Sequence, residues 1–294
     1  MDYASVILQL ALSGLATGGI YALVALGFNI VFRSTDAINF AQGEWVMAGG
    51  MIAAFLYQAA GLPLWTVVPI GALAVVALGA ASERLAVHPL TSPGPMLITL
   101  ITIGVAIATK AAVMLTLGKA PAGLPAFAGS APVHIGNAAI PPQALWVLLT
   151  MALVMVASHF FFERTLLGKA MRAAAADREA AALVGINVGS MVTRAFMIAA
   201  GVGALAGIVV TPITMTSFNA GTFLGFKGFS AAMLGGLGNP YGALVGGVLL
   251  GLLESLSAGL ISSAYKDAVA FVVLLFILFV RPDGLLGRAG VSRV

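Results

Sequence analysis

Cysteine is absent from the 294-residue sequence, which excludes disulfides, thiolate nucleophiles and cysteine-ligated zinc or iron–sulfur centres. Charge is almost as scarce: fourteen Lys and Arg and ten Asp and Glu make up 8% of the chain. A soluble chain of this length needs a polar shell that so few groups cannot form. Three histidines are present: His88, His134 and His159 are each isolated, without a second imidazole or carboxylate at ligand spacing, so no metal site is expected. ATP hydrolysis by this chain is excluded too. Neither Gly118-Lys119-Ala120 nor Gly168-Lys169-Ala170 completes the G-x-x-x-x-G-K-[ST] loop that cradles phosphates. No Ser-His-Asp arrangement or carboxylate pair suggests an enzyme, no cofactor motif is present, and no nucleic-acid motif accompanies the net charge of +4.

What the sequence does have is apolar surface. Hydrophobic residues make up 61% of it and the mean hydropathy is +1.08, far outside the soluble range. An all-α polytopic membrane protein follows, its surface facing lipid. A spanning helix needs about 20 apolar residues. Such runs fall near residues 6–32, 45–60, 63–82, 94–118, 143–162, 190–213, 239–256 and 267–280, predicting about eight spans. The opening MDYASVILQL lacks a basic n-region, so the first run is expected to be a retained span.

Lys and Arg set the orientation. Arg33, Arg84, Arg164, Lys169, Arg172, Arg178, Arg194, Arg281, Arg288 and Arg293 fall in segments that the rule makes cytoplasmic. Lys119, Lys227 and Lys266 are left outside and Lys110 lies within a span, with the amino terminus outside. The carboxyl-terminal tail reaches the cytoplasm only if the chain passes inward once more. The segment GFKGFSAAMLGGLG, residues 225–238, is the place for it, and its shortness predicts a half-helix against the bundle interior or a pathway. The proline- and glycine-rich stretch 119–142 reads as an external connection. Glycine pairs four apart, Gly14/Gly18, Gly203/Gly207, Gly242/Gly246 and Gly247/Gly251, predict closely packed helix faces.

Polarity interrupts the apolar runs in two places. The first is RSTDAINFAQGEW, residues 33–45, where Asn39 and Gln42 stand three apart, the spacing of residues on one helical face, and Glu44 follows. These polar groups either satisfy a helix end near the interface or line a route or subunit seam. The second is GKAMRAAAADREAAALVG, residues 168–185. Residues 169–184 are alanine-rich and helix-forming, and Gly185 suits a helix terminus. It reads as a solvated cytoplasmic helix or as a docking surface. In the latter, Ala180, Ala181, Leu183 and Val184 enter a partner's groove while Arg172, Asp177, Arg178 and Glu179 form its rim. Lys110 and Glu254 fall toward span ends, where both could snorkel to the interface.

The segments SGLATGGIYALVALGFNIVF, DAINFAQGEWVMAGG and GFKGFSAAMLGGLGNPYGALVGGVLLGLLESL resemble the LivH-type permease subunits of bacterial ABC importers for branched-chain amino acids. The likeness runs in order along nearly the whole chain, with I-N-F-A-[HQ]-G and G-G-L-G-x-x-x-G-A its most specific elements. Glu179-Ala180-Ala181, three residues, then Gly185 is similar to the family's EAA motif. The ILP-like ending of that motif is displaced to Ile198 and Pro212.

The resemblance implies a single transmembrane permease domain over residues 1–294 with the ABC importer transmembrane fold and a cytoplasmic coupling helix near 168–186. It implies a bacterial inner-membrane location, a second homologous permease subunit, two cytoplasmic ATPase subunits and a periplasmic solute-binding protein. Arg172, Asp177, Glu179, Ala180, Ala181, Leu183 and Gly185 would then couple to the ATPase. Asn39, Gln42, Gly43, Glu44, Phe226, Gly235 and Gly236 are candidates for the pathway or the subunit interface. The competing reading is a self-contained secondary transporter or channel, which would ordinarily carry ionisable groups at the midplane.

Overall fold

A computed structural model describes residues 3–90, 94–129 and 131–287; Arg288 and Arg293 of the basic tail lie outside them. Its helices are α1 (Tyr3–Thr35), α2 (Gln42–Gln58), α3 (Leu64–Ser82), α4 (Pro95–Thr116), α5 (Pro142–Arg164), α6 (Leu166–Ala176), α7 (Arg178–Leu183), α8 (Val188–Thr214), α9 (Ala220–Gly235), α10 (Pro240–Leu260) and α11 (Lys266–Val280). Among the described residues, seven segments are long and apolar enough to cross a membrane. These are α1, α3 with its π-helical extension Glu83–Val87, α4, α5, α8, α10, and α11 with the turn before it. The chain is thus a multi-pass membrane protein.

The eighth run, expected at 45–60, is the 17-residue α2, most of which is buried. It is short because residues 36–41 enter the bundle without helical structure. Polar backbone at that depth must find partners inside the protein, and α4 supplies them. Thr99 Oγ1 accepts from Ile38 N at 3.2 Å and Thr102 Oγ1 accepts from Phe40 N at 3.1 Å. The inward passage expected at 225–238 is the 16-residue α9, which begins earlier, at Ala220, and stops at Gly235. It returns the chain from the level of Thr216, paired with Ala122 in the 119–142 connection, to the end where Gly235 meets α10. That connection carries an antiparallel hairpin, β1 (Val133–Ile135) with β2 (Ala138–Ile140), which the side chain of Gln9 ties to α1 through Ala139.

Glycine faces hold the centre together. A Cβ on Gly18 would lie 2.7 Å from Val248 Cα, one on Gly14 would lie 2.9 Å from Leu252 Cα, and one on Gly247 would overlap Ala22. Backbones of α1 and α10 therefore approach as only glycine permits. α1, α2 and α8 form the buried centre, where Trp45 meets Phe196 edge-on at 5.9 Å. α3, α4, α5 and α11 turn large apolar side chains outward, among them Leu73, Ile107, Leu153 and Phe276.

The described basic residues divide as the charge pattern predicts. Arg33, Arg84, Arg164, Lys169, Arg172, Arg178, Arg194 and Arg281 stand at or near the end where α1 and α5 finish and α8 begins. We call this the basic end; Tyr3 lies at the opposite one. Three charges behave otherwise than expected, Lys110 on α4 among them. Glu254 does not snorkel: it is buried, accepting from Tyr21 Oη at 2.7 Å and pairing with Lys227. Lys227 is not in an outer loop but on α9, also bonded to Asp267 at 2.6 Å. Desolvation forces this convergence, since a lone charge among apolar helices must find a counter-charge.

Candidate functional site

Two places concentrate polarity beyond what packing needs. The first is a groove of about 400 Å³ between α4 and α9, walled by Phe28, Phe40, Ile103, Ile107 and Phe226. Glu44 reaches it from the first turn of α2, where the helix dipole favours an anion. Its position depends on a glycine contact: Gly43 faces Gly221 and Gly225 with no room for a Cβ on α2. Glu44 is only 4% exposed. Its Oε1 accepts from Thr222 Oγ1 at 2.9 Å, while its Oε2 has no partner. Lys110 Nζ, on α4, donates to the same Thr222 hydroxyl at 3.4 Å and lies 5.9 Å from the Phe218 ring centre. Rather than snorkelling to the end of its span, Lys110 points across the groove.

Not every pathway candidate reaches this groove. Phe226 lines it and Glu44 anchors it, with Gly43 directly behind. Asn39 and Gln42 do not share a helical face, because Asn39 precedes α2. Its Oδ1 accepts from Ala41 N at 3.1 Å, and Gln42 Nε2 donates to Ala199 O at 3.1 Å. Both are fully buried and brace the irregular entry to α2 against α8. Gly235 and Gly236 stand at the basic end of α9, packed against Gly242 and Gly287. Leu285 N and Leu286 N donate there to Leu234 O and Gly235 O.

Thr222 carried no sequence signal, since a threonine in an apolar run is ordinary. Lys110 was visible as a charge, but its direction was not.

The second place is the α6–α7 pair at the basic end. A single helix over 169–184 is replaced by two, because Asp177 adopts extended backbone and caps α7, its Oδ1 accepting from Ala180 N at 2.9 Å. Gly185, at φ +87°, ends α7. Ile186 N bonds Ala181 O and Gly185 N bonds Ala182 O, each at 3.0 Å, the paired closure of a Schellman motif.

One side of the pair is fastened to the chain itself. Ala181 is 3% exposed, Arg178 donates to Ser34 O at 3.2 Å, and Arg172 pairs with Glu163 at 2.7 Å. Ala181 is thus packed within the chain itself, and Arg172 is held by Glu163. Glu179 and Ala180 are exposed. Leu183 and Val184 project outward, 88% and 76% exposed. Substituting Asp177 by Ala removes a cap worth about 1 kcal/mol. Amide exchange across residues 179–183 is expected to quicken about fivefold, with the spans unchanged.

Known proteins give these places a context. The family described as branched-chain amino acid transport system / permease component matches residues 10–278. The high-affinity branched-chain amino acid transport permease LivH of Escherichia coli is 34% identical over 301 residues, covering 98% of this chain and 97% of that protein. BraD of Pseudomonas aeruginosa, named as a permease of the same kind, is 34% identical over 300 residues, 98% of each chain. The solved structure of PsaBC from Streptococcus pneumoniae in complex with Fab aligns with a TM-score of 0.52 at 12% identity, over 94% of this chain and 92% of that one. It supports the fold alone. Taken with seven membrane-spanning segments, the full-length match settles that the chain belongs to the branched-chain amino acid transport permease family.

Proposed function

We propose that the chain forms half of the translocation pathway of a binding-protein-dependent ABC importer for branched-chain amino acids. It works beside a second, homologous permease, with two ATPase subunits at the basic end and a solute-binding protein at the other. The basic end is cytoplasmic, as the excess of Lys and Arg there indicates, and the amino terminus lies outside. ATP is hydrolysed by the separate subunits. The names of the relatives support the cargo, and the absence of a phosphate loop supports the division of labour.

The observation that carries this reading is the tip of the α6–α7 pair. Leu183 and Val184 are presented to solvent between a capped helix and a glycine turn, while Ala181 and Arg178 fasten the opposite side to the bundle. An exposed apolar tip on a stiff support fits a mechanical contact, since apolar anchors in a partner's pocket supply most of an interface's energy. Movement of an ATPase against the tip would pass through α6 to the ends of α1 and α5. Glu179, Ala180 and Gly185 shape this contact, and Asp177 sets its angle.

The test is a Leu183→Asp, Val184→Asp variant co-expressed with the neighbouring subunits. ATP-driven uptake of leucine should fall at least about tenfold, as loss of a hot-spot contact implies. The purified variant subunit should keep its melting temperature. Undiminished uptake would overturn the docking assignment, whereas uptake driven by an ion gradient in the isolated chain would favour a secondary transporter.

A further inference from the structure

The α4–α9 groove has the composition of a site for a specific charge pattern. Intramembrane ionisable groups are costly and are retained where they act; here two of opposite sign face one apolar cavity. Resting on the reading of the chain as half of an amino-acid permease, we infer that the groove is a substrate subsite. Glu44 receives the α-ammonium and Lys110 the α-carboxylate of an aliphatic amino acid, whose side chain lies against Phe28, Phe40, Ile103, Ile107 and Phe226.

Unfinished hydrogen bonding at Glu44 supports this. The carboxylate is buried yet has a single donor, Thr222 on Oε1, and Oε2 has none. A terminal carboxylate torsion is soft, so a turn about Cγ–Cδ presents either oxygen to the cavity, and an ammonium group brings the missing donors. Lys110 is the complement. No carboxylate lies within ion-pairing distance of it among the described residues, and its contacts are the Thr222 hydroxyl at 3.4 Å and the Phe218 ring.

Thr222 sits between the two charges, so they are separated by the short span that its hydroxyl bridges. The ammonium and carboxylate of an α-amino acid, attached to one carbon, suit that span and would replace the bridge with direct ion pairs.

The same pairing rejects other solutes. A simple carboxylate meets Glu44, a simple amine meets Lys110, and a polyhydroxylated solute finds apolar walls where it needs hydrogen bonds. The volume of about 400 Å³ lies within the ordinary range of small-molecule sites, roughly 300–1,000 Å³. Exposed Phe226 and Ile107 form the open side, so a ligand can enter there, and a facing permease would close it.

The absence of cysteine permits a direct test. Ala106→Cys, at a lining position given no role in binding, places a unique thiol of this subunit in the groove. Its maleimide labelling is followed in membranes containing the whole transporter without nucleotide.

Leucine should slow labelling. Leucinamide, lacking the carboxylate, and 4-methylpentanoate, lacking the ammonium, should each need about tenfold higher concentration, the loss of one charge-assisted contact. Adding Lys110→Gln or Glu44→Gln should abolish protection by leucine, and Lys110→Arg should retain it. Equal protection by the three compounds, or unaltered protection in both neutral variants, overturns the subsite.

ATP-driven leucine uptake by the cysteine reporter is measured in parallel. Uptake without charge-selective protection removes the subsite and leaves the permease assignment standing. Failure of leucine uptake in the parent transporter removes both.

Discussion

Replacing Lys227 by Met is expected to lower the stability of the assembled protein by about 3–5 kcal/mol, the usual cost of leaving a buried charge without its partner. Glu254 is buried on α10 and keeps only the Tyr21 hydroxyl once the ammonium is gone. Lys227 also holds Asp267 and lies 5.6 Å from the Phe271 ring centre. The single substitution therefore loosens α9, α10 and α11 together. Thermal unfolding of the purified chain should show a markedly lower midpoint. The double variant Lys227→Met, Glu254→Gln should recover most of the loss, because the stranded carboxylate is then neutral. Asp267→Asn should cost less than about 1 kcal/mol, since that carboxylate is largely exposed and such pairs contribute little. Equal effects from Asp267→Asn and Lys227→Met would show that the buried pair is not the anchor.

A methyl group at residue 43 is expected to reduce leucine uptake by at least about tenfold, through backbone displacement of the kind overpacking produces. The Cβ of Gly43→Ala would fall 2.6 Å from Gly225 Cα and 2.9 Å from Gly225 N, and would also overlap the Gly221 carbonyl. None of these is a side chain that can rotate away. α2 must separate from α9, which pulls Glu44 from Thr222 and opens the floor of the groove. Gly104→Ala is the control. No atom lies within 4 Å of its added methyl, and exchanging glycine for alanine inside a helix stabilises by up to about 1 kcal/mol. Uptake that survives Gly43→Ala at the level of Gly104→Ala would mean the groove does not depend on this contact.

Membrane character, the approximate number of passages and the charged basic end were legible because each rests on a one-dimensional property. Apolar length decides insertion and loop charge decides orientation. The charge pattern also pointed to the extra passage that α9 makes, since the tail could not otherwise return to the basic end. Helix propensity was less reliable at 169–184. It registers an alanine-rich run, but the side chain of Asp177 competes for backbone amides, and the break appears only as a cap. The same limit applied at Asn39, where local hydrogen bonding to Ala41 replaced a shared face with Gln42.

By itself, the sequence determined a cysteine-free bundle of lipid-facing helices without a catalytic or phosphate-binding motif, and a polar EAA-like segment at its basic end. Only the tertiary structure decided where the charges meet. Glu44, Thr222 and Lys110 come from three helices, as do Lys227, Glu254 and Asp267, and their sequence separations carry no trace of either meeting. Helices of similar hydropathy are interchangeable to the bilayer. Their arrangement is set by which glycine faces allow close approach and which buried charges demand a partner, and both are properties of pairs.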